Sequence, residues 1–186
     1  MQDIYKHISL TLKTLRQQRK WSLDKTAQET GVSKAMLGQI EREESSPTIA
    51  TLWKIANGFQ TSFSSFLEEV EIDSKEMIYR SSDNQHPGPA DDKIRVKTLF
   101  PFDPQLNCEM FEIEILPSCE HRSAPHQYGS KEHVLVISGT MQILLNDKWH
   151  TLHAGEGMRF NADQFHGYRN ITKENVKFHS IIHYEK

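Results

Sequence analysis

Two groups of residues in this sequence have types and spacing suited to chemistry. The first lies between Trp21 and Glu43, where the chain reads W-S-L-D-K-T-A-Q-E-T-G-V-S-K-A-M-L-G-Q-I-E-R-E. Leu23, Ala27 and Ile40 fall where two short packed helices need apolar or small side chains. Gly31 supplies the φ > 0 residue that ends the first helix, Val32 fills the turn, and Ser33 caps the second. A pair built this way presents the N-terminal end of its second helix outward, as a helix must to enter a major groove. The second group lies nearer the C-terminus: His121, His126, Glu132, His133, His150, His153, His166, His179 and His183. Imidazole and carboxylate are donor types for a divalent cation. Which of them meet depends on the elements that carry them.

Around the first group the periodicity is helical. Ile4, Ile8, Leu12 and Leu15 form one stripe with Lys6, Lys13, Arg16 and Arg19 on other faces, which predicts a first helix ending near Lys20. The second helix runs from Ser22 as N-cap to Gly31, and the third from Ser33 to about Arg42. A fourth follows Pro47 with Ile49, Leu52, Ile55 and Ala56, closing at Gly58. Phe63, Phe66 and Leu67 predict a fifth short helix. After residue 70 the composition changes. S-S-D-N-Q-H-P-G-P-A-D-D is a loop, with His86 solvated in it, and Met77-Ile78-Tyr79 falls in an opening strand over 76–80. The expected organisation is a DNA-binding domain at 1–70, a linker at 71–75 and a second domain at 76–186. In the last, period two takes over: Phe111, Ile113 and Ile115 alternate with Glu112 and Glu114, and short apolar strands recur to the end. That pattern predicts an all-β sandwich or barrel.

The segment L-R-x-x-R-x-x-S-L-x-x-x-A-x-x-x-G-V-S-x-x-x-L-x-x-I-E-R, followed by S-P-T-I-x-T-L-x-K-I-A, resembles the five-helix, lambda-repressor-like domain of the Cro/C1 and XRE family of helix-turn-helix regulators. The match runs from Leu15 to Ala56 and departs only in the loop at Glu44. The resemblance implies that Lys34, Ala35, Met36 and Gln39 meet base edges. Gln39 suits adenine, Lys34 the guanine acceptors, and Ala35 or Met36 a thymine methyl. It makes Arg16, Arg19, Ser22 and Thr48 phosphate candidates, with Ser33 at the start of the reading helix. Arg42 is either a phosphate contact or a structural ion-pair partner.

The β-rich part resembles the cupins. His126-x-Tyr128-x3-Glu132-x6-Gly139 matches their first motif except that Tyr128 stands where His is usual. Gly155-x5-Asn161-x-Asp163-x2-His166-x3-Asn170 matches the spacing of the second, with Asn and Asp in place of Pro and Gly. The resemblance implies a double-stranded β-helix, or jelly-roll barrel, whose inward side chains converge His126, Glu132 and His166. Such a 2-His-1-carboxylate set suits Zn, Fe, Mn or Ni; in metal-free relatives the histidines serve as pocket donors instead. Tyr128 is either a fourth ligand or a pocket residue that meets an effector, and His133 is a second-choice ligand that needs a local bulge. Arg159 and Arg169 either pair with a carboxylate- or amino-acid-like effector or face solvent.

Composition bounds the rest. With 37% hydrophobic and 25% charged residues and no run of about 18 apolar ones, a helical membrane span is not expected. The first residues lack the apolar core of a signal peptide, so a cytoplasmic location is expected. Cys108 and Cys119 fit no zinc motif and are read as reduced thiols. Residues 1–42 carry eight Lys/Arg against four Asp/Glu, a balance of +4, which leaves −7 for the remainder of a chain whose net is −3. A basic head on an acidic body suits an encounter with a polyanion at one end. The expected protein is a non-enzymatic, palindrome-reading homodimer on double-stranded DNA, controlled by a small-molecule effector in the barrel. The alternative is a metal-dependent cupin enzyme of dioxygenase or isomerase type with a DNA-targeting head.

Overall fold

The computed structural model describes residues 2–67 and 93–185. The contacts divide the chain into two units, Met1–Met77 and Ile78–Lys186. The expected linker at 71–75, the strand at 76–80 and His86 lie outside the described residues.

The first unit holds α1 (Gln2–Gln18), α2 (Leu23–Thr30), α3 (Lys34–Glu41) and α4 (Ile49–Phe59). Their ends are set by local chemistry. Ser22, Ser33 and Thr48 each accept a hydrogen bond from the backbone N–H three residues on, at Lys25, Met36 and Thr51. Gly31 closes α2 at φ 67°, the left-handed conformation the sequence demands of it. Ile8, Leu12, Leu37, Ile40, Leu52, Ile55, Phe59 and Phe66 are fully buried and form the core. Each such side chain contributes about 1.5–3 kcal/mol on leaving water. Trp21 stacks on Phe59 with ring centroids 5.0 Å apart.

The expected fifth helix is corrected. Residues 64–66 make a single 3-10 turn, in which Phe66 and Leu67 donate to the carbonyls three residues back. Ser65 Oγ donates to the Ser62 carbonyl at 2.7 Å, so a hydroxyl competes for the groups an α-turn would use. Phe63, Phe66 and Leu67 are nonetheless buried, as their spacing requires.

The second unit is a pair of antiparallel sheets. One orders its strands β1 (Ile94–Asp103), β2 (Cys108–Ile115), β9 (Val176–His183), β4 (Lys131–Ser138) and β7 (Gly157–Asn161). The other orders β3 (Glu120–Ser123), β8 (His166–Arg169), β5 (Thr140–Leu145) and β6 (Lys148–His153). Period-two alternation decides what faces inward: Phe111 and Ile115, Val134 and Val136, Met141 and Ile143, Phe178 and Ile182 are all buried. Cys108 is half-buried, Cys119 is buried, and neither is in a disulfide. No helix among the described residues is long and apolar enough to cross a membrane.

Candidate functional site

The barrel places three donors together. Glu132 sits on β4 and points inward with Val134 and Val136. His166 opens β8, with Tyr168 two residues on and on the same face. His126 lies in the loop before β4, where its backbone N–H donates to the Ala162 carbonyl at 2.9 Å. The ligand atoms of His126, Glu132 and His166 all lie within 4.8 Å of one another, and all three residues are buried. Glu132 Oε2 stands 3.8 Å from His126 Nε2 and 3.7 Å from His166 Nε2. These separations are close to the roughly 3.0–3.5 Å between ligand atoms about 2.1 Å from a shared metal.

The hydrogen bonds around the donors favour a cation. His166 Nδ1 lies 2.9 Å from the Gln164 carbonyl, which can only accept, so the proton is on Nδ1 and the Nε2 lone pair faces Glu132. His166 Nε2 and Glu132 Oε2 are buried and lack a hydrogen-bond partner among the described residues. Leaving two such acceptors buried costs about 1–3 kcal/mol each unless something fills the space between them. Burial also pushes the His166 imidazole below its ordinary value, against the pull of Glu132, which favours the neutral, ligating form. Burial works to raise the Glu132 carboxyl, but the two imidazoles and the Ser180 hydroxyl outweigh it and hold the group below its usual range. The Tyr168 hydroxyl is raised well above its ordinary value by burial and by Glu132, so it remains a donor. One carboxylate and two imidazoles, with both Nε2 atoms facing Glu132 Oε2, fit a divalent cation.

The other expected pocket residues are elsewhere. Tyr128 is 85% exposed, outside the cluster. Arg159 alternates with the inward Phe160 and is exposed on β7, the solvent-facing one of its two expected places. Arg169 alternates with the inward Tyr168. Its Nε donates to Gln142 at 2.7 Å and its guanidinium lies 4.0 Å over the Trp149 ring, which keeps it off the triad. His133 faces away from Glu132, as regular alternation demands. It packs edge-on against His183 at 5.2 Å, and burial, with His183 and Arg159 beside it, lowers its imidazole. The sequence reading missed Tyr168 and Ser180, whose hydroxyls donate to Glu132 Oε1 at 2.7 and 2.6 Å. A parity signal existed: Tyr168 stands two residues from His166, and Ser180 interrupts the inward apolar series Val176, Phe178, Ile182.

In the first unit, α3 exposes Lys34, Ala35 and Gln39 on one side, while Leu37, Gly38 and Ile40 pack inward. Met36 is half-buried, with Ser45 Oγ 3.6 Å from its sulfur. Lys34 pairs with Asp24 at 2.8 Å across an exposed gap, and Arg42 pairs with Glu44 in a two-pronged exposed contact. Ser22, Ser33 and Thr48 are the helix caps described above. Arg16 is committed within the unit: Nε and Nη2 donate to Glu41 at 2.6 and 2.8 Å, and Nη1 to the Trp21 carbonyl at 3.1 Å. These bonds tie α1 to α3. Arg19 donates to the Phe59 carbonyl at 2.8 Å and lies over Trp21.

Comparisons with known proteins follow this division. Residues 12–66 match the helix-turn-helix family and residues 111–182 the cupin domain family. The chain is 46% identical, over all of its length and 99% of the relative's, to the HTH-type transcriptional regulator SutR of Escherichia coli (strain K12). The crystal structure of an HTH_3 family transcriptional regulator from Vibrio cholerae matches at 42% identity and a TM-score of 0.84, covering 98% of each chain. The cupin domain of an XRE family transcriptional regulator from Enterobacter cloacae matches half of this chain and 99% of its own, at 41% identity and a TM-score of 0.50.

Proposed function

Because the chain belongs to the XRE-type helix-turn-helix transcriptional regulators that carry a cupin domain, we propose that its barrel senses a small metabolite and thereby sets the affinity of its head for a DNA operator. The observation that carries the sensing half is the buried cluster of His126, Glu132 and His166, in which Glu132 Oε2 and His166 Nε2 lack a hydrogen-bond partner among the described residues. These three side chains would hold one divalent cation. A bound cation would supply a Lewis-acidic centre with positions left for an effector's donor atoms. With Arg159 and Arg169 turned outward, an anionic effector is neutralised at that centre rather than by a guanidinium.

At the other end, Gln39 reads adenine, Lys34 releases Asp24 to reach guanine acceptors, and Ala35 and Met36 meet methyl groups. One head offers few cations, so two heads of a homodimer on half-sites about 34 Å apart supply the affinity. An effector acts only by binding one head arrangement better than the other.

The test begins by enriching genomic fragments on the full-length protein to obtain its operator. Gln39→Ala is then compared with wild type on that operator and on random duplex. Loss of a bidentate contact worth about 1–3 kcal/mol lowers operator affinity roughly 5- to 150-fold, with random-duplex binding unchanged. Equal loss on both duplexes refutes base reading by Gln39. The same triad also serves metal-dependent enzymes; sustained oxygen uptake by iron-loaded protein with small thiols or amino acids would favour that reading.

A further inference from the structure

The two oxygens of Glu132 are in different circumstances. Oε1 accepts from Tyr168 Oη at 2.7 Å and from Ser180 Oγ at 2.6 Å, while Oε2 faces the two imidazoles with no hydrogen bond of its own. The two donors approach from different places: Tyr168 from β8 in the four-stranded sheet, Ser180 from β9, the neighbour of β4 in the five-stranded one. All three side chains are buried. A carboxylate held at one oxygen from two directions cannot turn about its terminal bond, so the choice of which oxygen meets the imidazoles is fixed before anything binds. Tyr168 is itself located by its ring, which packs against Phe178 at 5.4 Å and against His166 at 5.7 Å.

We propose that Tyr168 and Ser180 are positioning residues that hold Glu132 as a one-oxygen ligand, reserving Oε2 for the cation between His126 and His166. The inference rests on the cation reading given above. Hydroxyls behind a ligating carboxylate act on it as outer partners act on other ligands, and losing one weakens metal binding about 10- to 100-fold. Without the Tyr168 hydroxyl, Oε1 keeps only the Ser180 donor, so Glu132 turns or offers both oxygens more readily and the coordination geometry changes as well as the affinity.

The experiment uses untagged full-length protein stripped by chelator and titrated with cobalt(II), whose visible spectrum reports ligand number and geometry. Wild type binds one equivalent, and His126→Ala abolishes binding. Tyr168→Phe, which keeps the packed ring, binds about 10- to 100-fold more weakly with an altered spectrum. Ser180→Ala moves both readouts in the same direction. In a Glu132→Gln background, adding Tyr168→Phe produces little further change. An altered cobalt spectrum in Tyr168→Phe protein that is still fully folded at the temperature of the titration separates positioning from a merely structural role. Tyr168→Phe with wild-type affinity and spectrum, in a protein whose wild type binds cobalt, overturns this inference alone. Failure of the wild type to bind overturns the cation reading and this inference together.

Discussion

Replacing Arg16 by methionine removes the guanidinium and keeps most of its stem, which isolates the polar contribution. Three hydrogen bonds disappear, two to Glu41 and one to the Trp21 carbonyl, and with them the tie between α1 and α3. A hydrogen bond to a charged group nets about 1.5–3 kcal/mol, and breaking a buried ion pair costs about 3–5 kcal/mol. Arg16 keeps 19% and Glu41 9% of their side-chain exposure, so solvent screens part of the interaction. The expected loss is therefore about 2–3 kcal/mol. A domain of this size shifts its midpoint about 4–8 °C per kcal/mol, so the helical transition should fall by roughly 10–20 °C. Far-ultraviolet circular dichroism of full-length protein follows that transition. Random-duplex binding is then titrated against salt below both midpoints. A tie within the head leaves the salt slope unchanged, whereas a lost phosphate contact reduces it by about 0.9. An unchanged midpoint together with a reduced slope would refute the assignment of Arg16 to the fold.

Further outcomes follow from the same geometry. Gly58→Ala places a Cβ 2.7 Å from the Thr30 Cα and 2.8 Å from the Glu29 carbonyl, so α2 and α4 must separate. The cost is about 1–3 kcal/mol despite alanine's better helix propensity, and a midpoint equal to or above wild type contradicts it. In the chelator-treated protein His166 and Glu132 both lie below their ordinary values, so the unfolded chain takes up their protons first. Stability is then full above the ordinary imidazole value. It falls with acid, first as pH drops from about 6.5 and again through the ordinary carboxylate range near 4.3. Denaturant midpoints that rise between about pH 7.5 and 5 would reverse this sign, and His166→Gln should flatten the first step.

What was legible in the sequence was what local rules specify. Ser22, Gly31, Ser33 and Thr48 each answer a need within their own turn, and the three helices they bound, α2, α3 and α4, follow. The fifth was lost because the serines beside Phe63 and Phe66 offer side-chain bonds that apolar spacing ignores. Arg16 shows the limit of reading charge: it lies with Arg19 in a basic helix, but its partner Glu41 is twenty-five residues away. In the barrel, motif spacing brought His126, Glu132 and His166 to one point. Parity would have gone further. Arg159 and Arg169 are each one residue from an inward aromatic, which sends them outward, and Tyr168 is two from His166, which sends it in. Ser180 could not be assigned to Glu132 from sequence, because that contact depends on which strand lies beside β4.

Sensing by the barrel depends on His126, Glu132 and His166 together holding one cation in each chain. Elemental analysis of untagged full-length protein, wild type beside the His126→Ala/His166→Ala double variant, tests it most directly. Close to one equivalent of a divalent transition metal is expected per wild-type chain and none in the variant. Wild type without metal, or a variant that retains it in equal amount, would show that these side chains hold no cation.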